Sequence, residues 1–230
     1  MVDIAANYRK IIDRIREAAQ KAGRSPQEIR LLAAAKSQTI ELVQAAIGAG
    51  VRLIGENYVQ ESDDKRNAIS EPVEWHLIGH LQRNKAKAAI KIFDLIQTLD
   101  SVALALELDK VGKTQGKTIR TLIEVNLGDE ASKSGIVQRD VAELVRRVGD
   151  LSHVRVEGLM AVPPFKENPE EVRPYFCTLK DLQVELQCLK IPNVSLDQLS
   201  MGMTHDYPIA VEEGATIVRI GTALFGPRKT

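Results

Sequence analysis

Lys36 closes the apolar run RLLAAAK at 30–36, and Arg219, Gly221 and Thr222 lie within the final run IVRIGTALFG at 217–226. A lysine amine condenses with a carbonyl to form a Schiff base. A cation, a compact main chain and a hydroxyl just after a strand form a phosphate grip of the kind barrel enzymes carry after their last strands. Amine and grip together are the minimum equipment for holding pyridoxal phosphate as a Schiff base. Ala33, Ala34 and Ala35 precede Lys36, leaving room for a flat ring in apolar surroundings that favour an uncharged amine. The segment LSMGMTHD at 199–206 places Ser200, Gly202 and Thr204 at alternate positions around two methionines. Their hydroxyls and close main chain suit a phosphate, and a helix starting near His205 would add unpaired amides. The same residues also suit plainer roles: a surface lysine with its stem laid along apolar surface, and ordinary loop and cap groups.

Other reactive residue types form weaker patterns. His76 and His80 are four apart, but over a strand and a turn, outside any HExxH motif; His153 and His205 are remote, so no metal site is expected. Asp129 and Glu130 read as a solvated loop or a helix start. Arg83, Lys85, Lys87 and Lys91 make a local basic patch without interleaved aromatics, which disfavours nucleic-acid binding. Cys177 and Cys188 have neither metal-ligand spacing nor a required disulfide and are expected to be reduced.

These candidates must be positioned by elements. Strands are predicted at 30–36, 51–56, 75–79, 93–100, 118–126, 154–161, 195–202 and 216–220. Their near-continuous apolar character belongs to parallel sheets covered on both faces. Helical patterns fall at 39–49, 58–69, 82–91, 101–115, 136–149, 170–190 and a short 205–214, after an N-terminal amphipathic helix expected to pack against the domain. Eight strand–helix units fit a (β/α)8 barrel better than an open sheet, and no GxGxxG follows the first strand. At 230 residues the chain is near the lower size limit of such a barrel, and one domain over 1–230 is expected. Its strand ends would gather Lys36, Glu56, Asn57, His76 to Gly79, Asp100, Asn126, Met160, Ser200 to Met203 and Arg219 to Thr222 at one mouth.

Thirty-one basic residues balance thirty-one acidic ones, so no global field attracts nucleic acid or an anionic membrane. The N-terminus has no signal-peptide core and nothing approaches a membrane span, so a cytoplasmic location is expected.

The chain resembles the pyridoxal phosphate homeostasis protein family, the YggS and proline-synthetase co-transcribed group. The resemblance rests on AAAK ending at Lys36, GENYVQE at 55–61, WHLIGHLQRNK at 75–85, EVNLGDEASKSG at 124–135, GLMA at 158–161, LSMGMTHDY at 199–207 and IVRIGTALFG at 217–226. It implies a TIM barrel of the alanine racemase N-terminal type with an added N-terminal helix. It also implies pyridoxal 5'-phosphate held as an aldimine by Lys36, with cofactor contacts at Asn57, Ser200, Thr204, Arg219, Gly221 and Thr222. Ser200, Thr204, Gly221 and Thr222 would meet the phosphate. Thr204 stands where the family usually has serine and keeps the hydroxyl. Arg219 would face the pyridine nitrogen and, because it does not readily give up its proton, would leave the cofactor a weak electron sink. Related racemases bring a tyrosine from a second domain, which is not expected here; Tyr58 and Tyr207 are candidate replacements.

The leading expectation is a non-enzymatic role in vitamin B6 and amino-acid homeostasis. An amino-acid racemase or related pyridoxal phosphate enzyme is the alternative, and an interaction protein using the cofactor as a sensed ligand a third. Expected partners are pyridoxal phosphate, other B6 vitamers and apo-enzyme acceptors, with the chain a monomer.

Overall fold

The computed structural model describes residues 2–128 and 134–227. The expected loop residues Asp129 and Glu130 lie outside them. Nine parallel strands are present among the described residues: β1 (Arg30–Ala34), β2 (Leu53–Glu56), β3 (Glu74–Leu77), β4 (Leu95–Leu99), β5 (Ile119–Asn126), β6 (Ile136–Val137), β7 (Val154–Met160), β8 (Val194–Ser200) and β9 (Ile217–Ile220). Their order is β4-β3-β2-β1-β9-β8-β7-β5, and a β4–β5 pairing closes the eight into a barrel. The two-residue β6 sits outside the closed set, pairing with the end of β5 through Val125–Ile136 and Asn126–Val137. The expected helix over 136–149 is corrected accordingly: it begins only at Val141, after β6 and one 3₁₀ turn.

Helices α1 (Ile4–Lys21), α2 (Ile40–Ala49), α3 (Val59–Ala68), α4 (Ala86–Ile92), α5 (Val102–Gln115), α6 (Val141–Gly149), α7 (Arg173–Gln187), α8 (Tyr207–Glu212) and α9 (Thr222–Phe225) accompany the strands. The Asp3 side chain accepts a hydrogen bond from the Ala6 N–H and caps α1. The α1 residues Ile4, Ile11, Ile15, Ala18 and Ala19 are buried, as a helix packed on the domain requires. β2 and β4 are buried along their whole length, which explains why their sequences lack polar alternation.

Alternate strand residues serve two cores. Leu31 and Ala33 belong to the main core shared with the helices. Leu32 instead clusters with Leu53 and Ile217, while Leu95, Leu122 and Met160 form a second inner cluster. Such side-chain layers make a barrel interior a packed core. Toward the N-terminal ends of the strands the filling becomes ionic. Glu74 pairs with both Arg30 and Arg120, and Arg120 grips Glu157 through two bonds of 2.8 and 2.9 Å. Gln198 donates to the same Glu157 carboxylate. This floor supports the opposite face, where the strands end.

Candidate functional site

Lys36 lies two residues beyond the last residue of β1, half-buried at the C-terminal end of the barrel. The Ala35 N–H bonds to the Gly55 carbonyl of β2, and the Gln38 N–H returns to the Ala35 carbonyl at 3.0 Å. Ser37, with φ of 61°, occupies the left-handed region that disfavours a Cβ, so the chain turns sharply at Lys36. Lys65 of α3 holds this turn from behind. Its Nζ donates to the Ala35 carbonyl at 2.9 Å and to Glu56 Oε1 at 2.6 Å. Glu56 is fully buried and its other oxygen has no hydrogen-bond partner; desolvation raises its pKa although Lys65 opposes the rise. Glu56 therefore supports the mouth from beneath α3. Asn57, the next residue, is half-buried against Gly79, where a Cβ would lie 2.3 Å from the Asn57 carbonyl oxygen, so only glycine admits this approach.

β9 lies beside β1, with Arg219 in register with Leu32. The Arg219 guanidinium is buried and donates to three oxygens, each at 2.7 Å: the Ser200 carbonyl, the Ser200 hydroxyl and the Ala161 carbonyl. These bonds engage three of a guanidinium's five N–H groups. Burial lowers the Arg219 pKa to about 10, opposed by Glu124 and Asp206, so it keeps its charge at neutral pH. The loop after β8 is built against it. Gly202, with φ of 87°, takes a conformation suited to glycine and accepts the Arg219 main-chain N–H, and Asp206 accepts the Met203 N–H at 2.6 Å.

Gly221 precedes α9. A Cβ there would stand 3.6 Å from the Ala34 carbonyl oxygen, in ordinary contact with the end of β1. The Thr204 hydroxyl accepts the Ala223 N–H at 3.2 Å, leaving its proton to be donated elsewhere, and the Thr222 side chain is exposed. Lys36, Asn57, Thr204, Arg219, Gly221 and Thr222 thus occupy adjoining strand ends at one face.

Ser200, expected at the phosphate, lies inside the barrel wall. It is fully buried, and its hydroxyl donates to Gln97 Oε1 at 2.6 Å while accepting from Arg219. His76 is likewise inside the barrel and not at the mouth: it is fully buried, with Nδ1 2.8 Å from Gln97 Nε2. His80 remains at the rim, half-exposed, with Nδ1 3.1 Å from Asp100 Oδ2. The two histidines therefore diverge. Tyr207, a candidate second base, is buried with the Arg14 guanidinium 5.4 Å from its ring, on the α1 side of the molecule; Tyr58 is exposed. Cys177 and Cys188 are free thiols.

Three contributors went unread in the sequence: Lys65, Gln97 and Glu124. Glu124 is buried, its Oε2 has no hydrogen-bond partner, and its pKa is raised to about 7 by desolvation and the nearby Asp100, against the pull of Arg219. A carboxyl and a glutamine inside otherwise apolar strands, EVN and IQTL, were the available signals, because a strand buried on both faces tolerates such groups only when they face polar company.

Residues 6–229 match the family described as alanine racemase, N-terminal domain. The pyridoxal phosphate homeostasis protein of Aquifex aeolicus is 44% identical over 221 residues, covering 96% of each chain. That of Escherichia coli is 40% identical over 232 residues, covering 99% of this chain and 98% of its own. Among solved structures, PipY of Synechococcus elongatus with PLP bound has 35% identity and a TM-score of 0.81, over 92% of this chain and all of that one. An alanine racemase of Clostridium difficile shares the fold at a TM-score of 0.75 and 13% identity, this chain spanning 58% of its length. With identity at this level over nearly the whole of both chains, the chain belongs to the pyridoxal phosphate homeostasis protein family, within the fold of the alanine racemase N-terminal domain.

Proposed function

We infer that this protein binds pyridoxal 5'-phosphate at the C-terminal mouth of its barrel and serves vitamin B6 and amino-acid homeostasis without substantial catalytic turnover. The observation that carries this reading is the Arg219 guanidinium, fixed by Ser200 and Ala161 on the strand beside the one that delivers Lys36. The residues fit the group: a buried guanidinium on Arg219, a bare main chain at Gly221 and a hydroxyl proton on Thr204 lie at adjoining strand ends. When bound, the cofactor supplies an aldehyde for an amine and a conjugated ring that can take up electron density.

Lys36 would hold the group through its amine, Asn57 would flank it, and Thr204, Gly221 and Thr222 would bind phosphate by hydroxyl and main-chain donors. Arg219, with its pKa at about 10, donates a hydrogen bond and retains its proton. A ring nitrogen facing it therefore stays largely unprotonated and accepts electron density poorly, which disfavours racemase-type chemistry. Of the two tyrosine candidates for a second base, Tyr207 packs against α1, and Tyr58 is exposed beside Asn57. The Ser200 hydroxyl acts on Arg219 in this reading, in place of the phosphate contact first expected.

The chain acts as one cofactor-holding domain over 1–230, as a cytoplasmic monomer handing the cofactor or related B6 vitamers to apo-enzyme acceptors. Among the described residues no helix is long and apolar enough to cross a membrane.

Borohydride reduction followed by peptide mapping should place the cofactor on Lys36, and modification of another lysine with Lys36 untouched would reject the assignment. Thr222→Val should weaken binding of pyridoxal phosphate relative to unphosphorylated pyridoxal. The loaded protein, incubated with a panel of amino acids, should show no sustained racemisation, transamination or decarboxylation. Multiple turnover that disappears in Lys36→Ala would overturn the non-enzymatic reading.

A further inference from the structure

Beneath the mouth runs a chain of buried polar groups whose direction is fixed by chemistry. Arg219 Nη1 donates to the Ser200 hydroxyl at 2.7 Å. A guanidinium cannot accept, so the single Ser200 proton goes onward to Gln97 Oε1 at 2.6 Å. That orients the Gln97 amide: its Nε2 donates to His76 Nδ1 at 2.8 Å. His76 Nδ1 is then an acceptor, and the ring proton is assigned to Nε2, which lies 3.4 Å from Glu74 Oε1 without a well-formed hydrogen bond. Glu74 is held in turn by Arg30 and Arg120 of the floor. Ser200, Gln97 and His76 are all fully buried, so no water competes for these bonds.

The reverse orientation fails on counting. If Gln97 presented its nitrogen to Ser200, the Ser200 proton would have no acceptor and His76 would have to donate from Nδ1. The direction also requires a neutral ring. A proton on both nitrogens would set Nδ1–H against the Gln97 N–H. Burial and the Arg30 and Arg120 charges disfavour that second proton and outweigh the attraction of Glu74.

We propose that Gln97 and His76 are positioning residues which, acting through Ser200, aim the Arg219 guanidinium so that the mouth selects a ring bearing an acceptor nitrogen. The proposal rests on the pyridoxal phosphate reading of the site and adds to it a basis for ring recognition, distinct from the phosphate grip. A buried, charged donor left without its acceptor in a complex is costly. The aimed guanidinium therefore discriminates against a ring in which the nitrogen is replaced by C–H, whereas the Thr204, Gly221 and Thr222 region treats both ligands alike.

The test compares equilibrium binding of pyridoxal phosphate with that of its 1-deaza analogue, in which ring nitrogen is replaced by C–H and the aldehyde and phosphate are retained. The parent protein should prefer pyridoxal phosphate by on the order of tenfold or more. Gln97→Leu and Ser200→Ala should bring the ratio toward one. His76→Leu should do the same and His76→Asn, which can return an acceptor to the Nδ1 position, should restore it. Independently of any ligand, ¹⁵N spectra of the protein labelled in histidine should show His76 with Nδ1 as acceptor and Nε2 protonated, unchanged from pH 8 to 6. A parent ratio near one, variants that keep the parent ratio, or a His76 signal with Nδ1 protonated would each overturn the proposal. If a variant fails to fold, the parent ratio and the parent spectrum still decide. Failure of the parent to bind either aldehyde would instead sink the pyridoxal phosphate reading itself.

Discussion

Glu124 shows how one residue can be shaped by its surroundings. Its carboxyl is buried beside Asp100 and within the field of Arg219, and its pKa of about 7 stands above the 4.5 of an exposed glutamate. Between those values the folded protein binds a proton that the unfolded chain has lost, so stability falls as pH rises from about 4.5 to 7 and stays lower above it. The shift corresponds to about 3 kcal/mol at most. Glu124→Gln, which keeps the shape and removes the charge, should raise stability by about 2 kcal/mol at pH 8 and change it little at pH 4.5, measured by urea unfolding at both values. An equal effect at both pH values would show that Glu124 is not protonated in this range. The sequence offered Lys36 and Arg219 because each ends or punctuates a strand. It hid Gln97 because the meaning of that side chain depends on Ser200, 103 residues away.

At the scale of elements, the strands were legible because continuous apolar runs have no other stable home than a doubly covered sheet. Their ends were less so. RLLAAAK was read as one strand to Lys36, but β1 stops at Ala34, and the turn that follows depends on Lys65 reaching in from α3. Nothing local in YVQESDDKRNAI marks that lysine as buried. Lys65→Met should be costly, because it leaves Glu56 charged, buried and without its cation, a loss of about 3 kcal/mol or more. Adding Glu56→Met should recover most of that loss, while cofactor binding stays weakened because the Ala35 carbonyl still lacks its donor. Thermal unfolding and titration of the two variants with pyridoxal phosphate separate these effects. If the double variant is no more stable than the single one, the buried pair is not what Lys65 serves. The two-residue β6 and the four-residue α9 escaped notice for a different reason: neither is long enough to show a period.

Across the whole molecule, the barrel is filled from end to end. Arg30, Glu74, Arg120 and Glu157 close its lower end, the leucine and methionine layers occupy the middle, and the mouth formed by the strand ends lies at the top. A vessel with a solid base has a single doorway. A molecule leaving must vacate the doorway before its successor can use it, so exchange is a sequence and not a relay through the barrel. The rate at which bound pyridoxal phosphate departs should therefore be the same whether the surrounding solution holds a small or a large excess of free cofactor, and isotope-labelled pyridoxal phosphate chased by unlabelled material at increasing concentration would measure it. A departure rate that climbs in proportion to the chase would mean that newcomers push in while the first occupant is still seated. In a cell, release would then keep a tempo set from within, indifferent to how crowded the vitamin pool outside has become.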